Sequence, residues 1–144
     1  MSWVYDDGGR SEAGFKGETG DCVCRAISIA TGLKYKDVYD YINEFAKCEK
    51  VGKAKKSNAR TGVRKETSRK LLESIGWEWI PLMGIGTGCK VHLKSEELPK
   101  GKIICKCSKH LVAVIDGVIH DTYDSSRDGT RCVYGYYRKM EVRA

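Results

Sequence analysis

Three residues of this chain are of the types that make a thiol nucleophile work: Cys22, His110 and Asp121. Cys22 stands in Gly20-Asp21-Cys22-Val23-Cys24-Arg25-Ala26-Ile27-Ser28, where the pattern predicts the start of a helix. A thiol at a helix N-terminus faces unpaired amides and the positive end of the helix dipole. Both favour the thiolate, the form that attacks a carbonyl carbon. At about 100° per residue the apolar stripe of this helix centres roughly 60° from Cys22 and about 140° from Cys24. Cys22 is therefore expected to face the body of the fold and Cys24 the other side. The plainer role for Cys22 is a small buried thiol at a helix start.

A thiol needs a base, and the chain offers His92, His110 and His120. Asp116-Gly117 lies between two alternating apolar runs, the strongest hairpin signal in the sequence. A two-residue turn there sets His110 opposite Tyr123 and Val112 opposite Asp121. Side chains alternate along a strand, so His110, Val112, Asp121 and Tyr123 share one face, and His120 and Asp124 the other. Asp121 becomes the diagonal neighbour of His110, able to accept a ring N–H and fix its tautomer. A metal set was weighed from Cys22, Cys24, Cys105, Cys107 and His110. Cys105 and Cys107 read as alternate residues of an apolar strand and lack the knuckle spacing of structural zinc sites. No metal and no cofactor are expected.

The elements that must position these groups follow from periodicity. After an irregular stretch over residues 1–20, Val23, Ala26, Ile27, Ile29, Ala30 and Leu33 form the stripe of a first helix ended by Gly32. Val38, Tyr41, Ile42 and Phe45 mark a second, roughly Lys36 to Lys47, and Thr67 to Ile75 a third, closed by Gly76. The second half changes period. Strands are expected at Trp77 to Leu82, Lys102 to Cys107, Leu111 to Ile115, Val118 to Thr122 and about Thr130 to Arg138, with one helical turn at Ser95 to Leu98. Helices followed by an antiparallel meander give an α+β fold. Gly84-Ile85-Gly86-Thr87-Gly88 is spaced loosely like a phosphate loop, but no Lys-Ser/Thr follows it.

The 144 residues allow one domain with its own core, 1–144. The net charge of +7 is local. Lys47 to Lys70 holds ten of the 26 Lys and Arg residues and two of the 19 acidic ones, so it carries +8 and the remainder −1. Its centre, about residues 47–66, reads as a solvated basic loop between helices, with docking to an acidic partner as the sharper alternative. It has no aromatic residue to stack bases, so nucleic acid is not an expected partner. No apolar run is long enough for a membrane span, and the first residues lack the basic and apolar parts of a signal peptide. A cytoplasmic location is expected, in which seven cysteines read as free thiols before a disulfide framework.

With its helix-starting Cys22 followed by a strand His110 and then Asp121, the chain resembles the papain-like cysteine peptidase superfamily. Gly20-Asp21-Cys22-Val23-Cys24-Arg25-Ala26 is similar to the nucleophile box of the ovarian-tumour deubiquitinases, with Thr19 where that pattern has Asp. The segment from His110 to Asp121 looks like the His-strand-turn-strand-Asp of small bacterial and phage papain-like proteins. The resemblance implies N-terminal helices packed on a C-terminal antiparallel sheet. It also implies a cysteine hydrolase acting on an amide or isopeptide bond of a peptide or protein, with deamidation and transglutamination as variants. Papain-type enzymes hold the oxyanion partly with a Gln, and this chain has none. The OTU-like box leaves the Cys22 N–H with a donor from the Thr19, Gly20 and Asp21 turn. The alternative is a catalytically weak papain-like binding module, a phage or mobile-element protein that docks a host partner through its basic loop.

Overall fold

The structure, a computed structural model, describes residues 1–16, 20–52, 55–84 and 86–141. Three helices come first: α1 (Cys22–Thr31), α2 (Tyr35–Ala46) and α3 (Lys65–Ser74). Around them in the chain run strands β1 (Trp3–Tyr5), β2 (Trp77–Pro81), β3 (Lys102–Cys107), β4 (His110–Ile115), β5 (Val118–Asp121) and β6 (Gly135–Lys139). The strands form one sheet in the order β1-β5-β4-β3-β6-β2. It is antiparallel except where β1 joins β5 in parallel. The fold is thus α+β, with three helices on a mixed sheet. Among the described residues no helix is long and apolar enough to cross a membrane.

The sheet is covered on both faces, so its strands read as apolar runs more than as clean alternation. Ile104, Leu111, Ala113 and Tyr137 pack under the helices with Ile27, Ile42, Leu71 and Leu72. Ile103, Cys105, Val112, Val114, Ile119 and Tyr136 point the other way, under Leu93, Leu98 and Val133 from the long connections. Helix α1 lies between the sheet and α2 and is buried nearly all round. Cys24, on the side away from the stripe, is accordingly fully buried, its thiol 3.6 Å from the Tyr35 carbonyl oxygen.

The β4–β5 hairpin has the register the spacing predicts, Ala113 opposite His120 and Val114 opposite Ile119. Asp116 and Gly117 sit at φ 48° and 78°, the left-handed pair that a two-residue hairpin turn needs. The expected meander holds only over β3, β4 and β5. Strand β6 crosses to the far edge of β3 and carries β2 outside it. It begins at Gly135; before it, residues 131–133 bond to Val91 and Leu93 of a long connection, and Tyr134 donates to the Lys106 carbonyl at the end of β3. The irregular start is also corrected: Trp3, Val4 and Tyr5 extend the sheet beside β5 and hold its end, with the Asp6 N–H donating to the Asp121 carbonyl at 2.9 Å. Only three residues long before Asp6-Asp7-Gly8-Gly9, this strand has no period to read.

The basic segment is not simply solvated. Lys55 and Lys56 are exposed, but Ser57 and Ala59 are buried, and the loop wraps around one carboxylate. Glu49 accepts bonds from the Ser57 N–H, the Ser57 hydroxyl and the Thr67 hydroxyl, and pairs with Arg64 at 3.6 Å. Asn58 to Gly62 closes into a tight turn whose Arg60 carbonyl accepts the Gly20 N–H at 2.9 Å. A Cβ at Gly20 would lie 3.0 Å from the Thr61 oxygen, so glycine there lets the loop cross the start of α1.

Two of the seven cysteines depart from the free-thiol expectation: Cys89 and Cys132 form a disulfide with Cα atoms 5.8 Å apart. Their sequence positions, one in a glycine-rich loop and one after a turn, carry no pairing signal. The bond closes a 43-residue separation. Chain entropy of that size predicts that Cys89→Ser with Cys132→Ser, or reduction, lowers the unfolding free energy by about 2–4 kcal/mol in urea titrations. Equal midpoints with and without reductant would contradict the bond.

Candidate active site

Cys22 opens α1 after Asp21, which occupies the N-cap position but makes no side-chain cap. The first intrahelical bond is from the Arg25 N–H to the Asp21 carbonyl, so the amides of the first turn, that of Cys22 included, lie beyond reach of the helix's own carbonyls. Instead of capping, the buried Asp21 carboxylate binds the Arg25 guanidinium, accepts the Tyr35 hydroxyl at 2.6 Å and lies 3.7 Å from Arg10.

His110 is the first residue of β4 and Asp121 the last of β5. Their side chains meet across the hairpin diagonal at 2.7 Å, His110 Nε2 to Asp121 Oδ2. With Nε2–H donated to the carboxylate, Nδ1 is the ring nitrogen left free, and His110 lines the same hollow as Cys22, close enough for each to shift the other's pKa. The pairing of β4 with β5 ends at Ala113 and His120, and Leu111 stands beside Cys22 in the wall of one hollow. The Tyr123 ring lies 5.6 Å from the His110 ring and lines the same hollow, whereas Val112, which the alternation puts on their face, packs with Leu93 and Val133 on the other side of the sheet. The structure therefore brings Cys22, His110 and Asp121 together, with His110 hydrogen-bonded to Asp121 and sharing a hollow with Cys22.

Sequence reasoning missed what holds the third member. Asp121 is 3% exposed, and its second oxygen accepts the Thr122 N–H at 2.7 Å and the Arg25 guanidinium at 3.3 Å. Arg25 thus spans from Asp21, four residues earlier on its own helix, to Asp121 on the sheet. The Asp21–Arg25 spacing of i, i+4 was a readable ion-pair signal. Its reach to Asp121 was not, because nothing local relates residues 96 apart.

Electrostatics follow from this arrangement. Burial alone would push the Cys22 thiol up, but the His110 hydrogen bond and charge, the Leu111 N–H and the Arg25 charge hold it below its ordinary value of 9.0. Burial likewise disfavours a charged His110, yet bonds to Asp121 and Cys22 raise it above 6.5. The pair is therefore biased towards thiolate and imidazolium. The other core thiols go the opposite way under burial: Cys24 to about 12, Cys107 to about 11 and Cys105 well above 9.0.

With Asp121 buried behind His110, Cys22 and His110 line an open hollow of about 380 Å³. Its walls come from the start of α1, from Thr61, Gly62 and Val63 of the basic loop, and from Lys106, Lys109 and Tyr123. Of the donors expected for an oxyanion, Thr19 lies outside the described residues and the Gly20 N–H is engaged by Arg60. Asp21 lies in the wall as the N-cap residue, and Cys22 is in the first turn. The five groups weighed as a metal set are dispersed, with Cys105 and Cys107 on the far face of the sheet and Cys24 against Tyr35. Among the described residues no three His, Cys, Asp or Glu side chains gather to hold an ion.

Set against known proteins, the chain matches no protein-family model, no curated protein and no solved structure. Its chemistry is therefore read from the site alone.

Asp121 provides a signed test. Burial would raise its carboxyl, but the His110 bond and charge, the Thr122 N–H and Arg25 hold it below 3.8. A depressed folded value contributes stability that is present above the unfolded value and is lost as pH falls through the folded one. Asp121→Asn is expected to lower the unfolding free energy by about 1–3 kcal/mol at neutral pH. The gap from wild type should close as pH falls below 3.8. A gap that stays constant into acid would contradict a charged, paired Asp121.

Proposed function

We propose that this chain is a cysteine hydrolase of papain-like architecture, cleaving an amide or isopeptide bond in a peptide or protein through an acyl-enzyme. The observation that supports it is Cys22 beside His110 in the wall of an open cleft, with His110 hydrogen-bonded to the buried Asp121 behind it. Each member has a distinct task. The Cys22 thiolate attacks the carbonyl carbon, forming a C–S bond and pushing the π electrons onto oxygen. As the tetrahedral species collapses, the C–N bond breaks and His110 gives its proton to the leaving nitrogen. Water then attacks the thioester with His110 taking its proton, the C–S bond breaks, and the carboxylic acid leaves.

Asp121 stabilises the imidazolium and keeps Nδ1 turned towards sulfur. Arg25 is a positioning residue that acts through Asp121. If the leaving nitrogen is ammonia the same steps deamidate a side chain, and if an amine replaces water they transfer the acyl group.

One observation favours a second reading, a binding module on this scaffold: the Gly20 N–H is bonded within the protein and the chain has no glutamine. A single oxyanion donor is worth about 3–4 kcal/mol, so losing one leaves a slow enzyme.

Screening a broad peptide pool by mass spectrometry separates the two. Turnover by the wild type should vanish in Cys22→Ala and fall at least about a thousandfold in His110→Ala, with both variants folded by circular dichroism. Turnover that survives Cys22→Ala, or its absence in the wild type, would reject the hydrolase.

A further inference from the structure

The cleft over Cys22 does not stand alone. One hollow of about 310 Å³ adjoins it, sharing the Lys106 wall and lined further by Lys65, Ser68, Arg69, Trp79 and Tyr137. A second hollow, of about 250 Å³, shares Thr61, Gly62 and Val63 and adds Lys55, Lys56 and Arg64. Linked by these shared wall residues, the three neighbouring hollows make up a trough beside the thiol. Its walls carry cations along their whole length. Among the described residues the only carboxylates in them are Asp21, which is bound to Arg25 and Tyr35, and Glu66 on the rim.

Lys106 is the informative member. On the helix-facing side of β3 it lies between the thiol hollow and its neighbour and lines both. It is partly buried, yet its ammonium group makes no hydrogen bond or ion pair among the described residues. Burial lowers its pKa, and Lys65 and Arg131 add repulsion, against attraction from Cys22 and Cys107. A half-buried cation that lines two open hollows and has no ion-pair partner among the described residues is placed to receive an anion that enters either one.

We infer that the hollow shared by Lys106, Lys65 and Trp79 is a specificity subsite for a carboxylate side chain, and that the substrate is an acidic polypeptide lying along the basic trough. Trp79 and Tyr137 flank the aliphatic part of the bound side chain while Lys106 meets its carboxylate, beside the residue presented to Cys22. The basic loop is then a wall of the substrate site, joined to α1 through the Gly20–Arg60 bond, and not a separate docking arm. What happens to the bound chain rests on the proposed role of Cys22. The acidic preference rests on the trough. An amide bond within reach of a thiolate selects polypeptide over nucleic acid, which has no acyl carbon to offer.

The test uses the full chain with two fluorescent peptides of one sequence, alternating Glu with Leu and Ala, the second having Gln at every Glu. Binding to Cys22→Ala is read by anisotropy, and turnover by wild type is read alongside. The Glu peptide should bind about tenfold to a hundredfold more tightly, as for a charge-assisted hydrogen bond. That ratio should fall several-fold when Lys106→Met, which keeps the aliphatic stem, is added, the remaining preference coming from the other cations of the trough. Equal binding of the two peptides, which needs no Lys106 variant to be observed, or a ratio unmoved by Lys106→Met, would overturn the subsite. So would a single-stranded DNA oligonucleotide that binds as tightly as the Glu peptide and competes with it. The predicted preference without turnover would keep the subsite and reject the hydrolase.

Discussion

A carboxylate withdrawn from water stays charged only if donors replace the lost solvent, and at Asp121 three arrive from three parts of the chain. His110 comes from the strand opposite, Arg25 from the first helix and the Thr122 amide from the chain just beyond β5. Strand β1 fixes the backbone beneath them through the Asp6–Asp121 bond. These bonds set the imidazole's tautomer and tie α1 to the far side of the sheet. Removing His110 or Arg25 leaves the buried charge only partly compensated, at a cost of about 1–3 kcal/mol. Geometry at the thiol and stability of the fold are therefore the same problem in this protein.

The same economy appears at Glu49, where one carboxylate gathers Ser57, Thr67 and Arg64 and gives shape to a segment that repels itself. Folded in this way, the loop presents Thr61 to Val63 to the cleft and turns its lysines towards whatever lies in the trough. The helix start gains from it too, since the Arg60 carbonyl accepts the Gly20 N–H that precedes the nucleophile. A charge excess that reads as an accessory in composition becomes part of the site in three dimensions.

What the sequence made legible was whatever local chemistry decides. The helix stripe before Gly32 located Cys22, and the Asp116-Gly117 turn, whose two left-handed residues admit one register, brought His110 and Asp121 together. Long-range partners were not legible. Trp3 to Tyr5 is too short to show a period, and its place beside β5 is set by a parallel pairing with residues more than a hundred positions away. The Arg25–Asp121 and Cys89–Cys132 links likewise have no local signature. Cys24 misleads for a different reason: with α2 on one side and the sheet on the other, α1 has no solvent face for a wheel to find.

The central claim is that Cys22 and His110 form a charged pair organised by Asp121. Its most direct measurement is the ultraviolet thiolate absorbance of the wild type less that of Cys22→Ala, followed across pH and repeated in His110→Ala. The thiolate signal is expected to titrate below the ordinary 9.0 and to retreat upward when the imidazole is removed. A Cys22 signal that appears only at or above that value, or one that His110→Ala leaves unmoved, would contradict it.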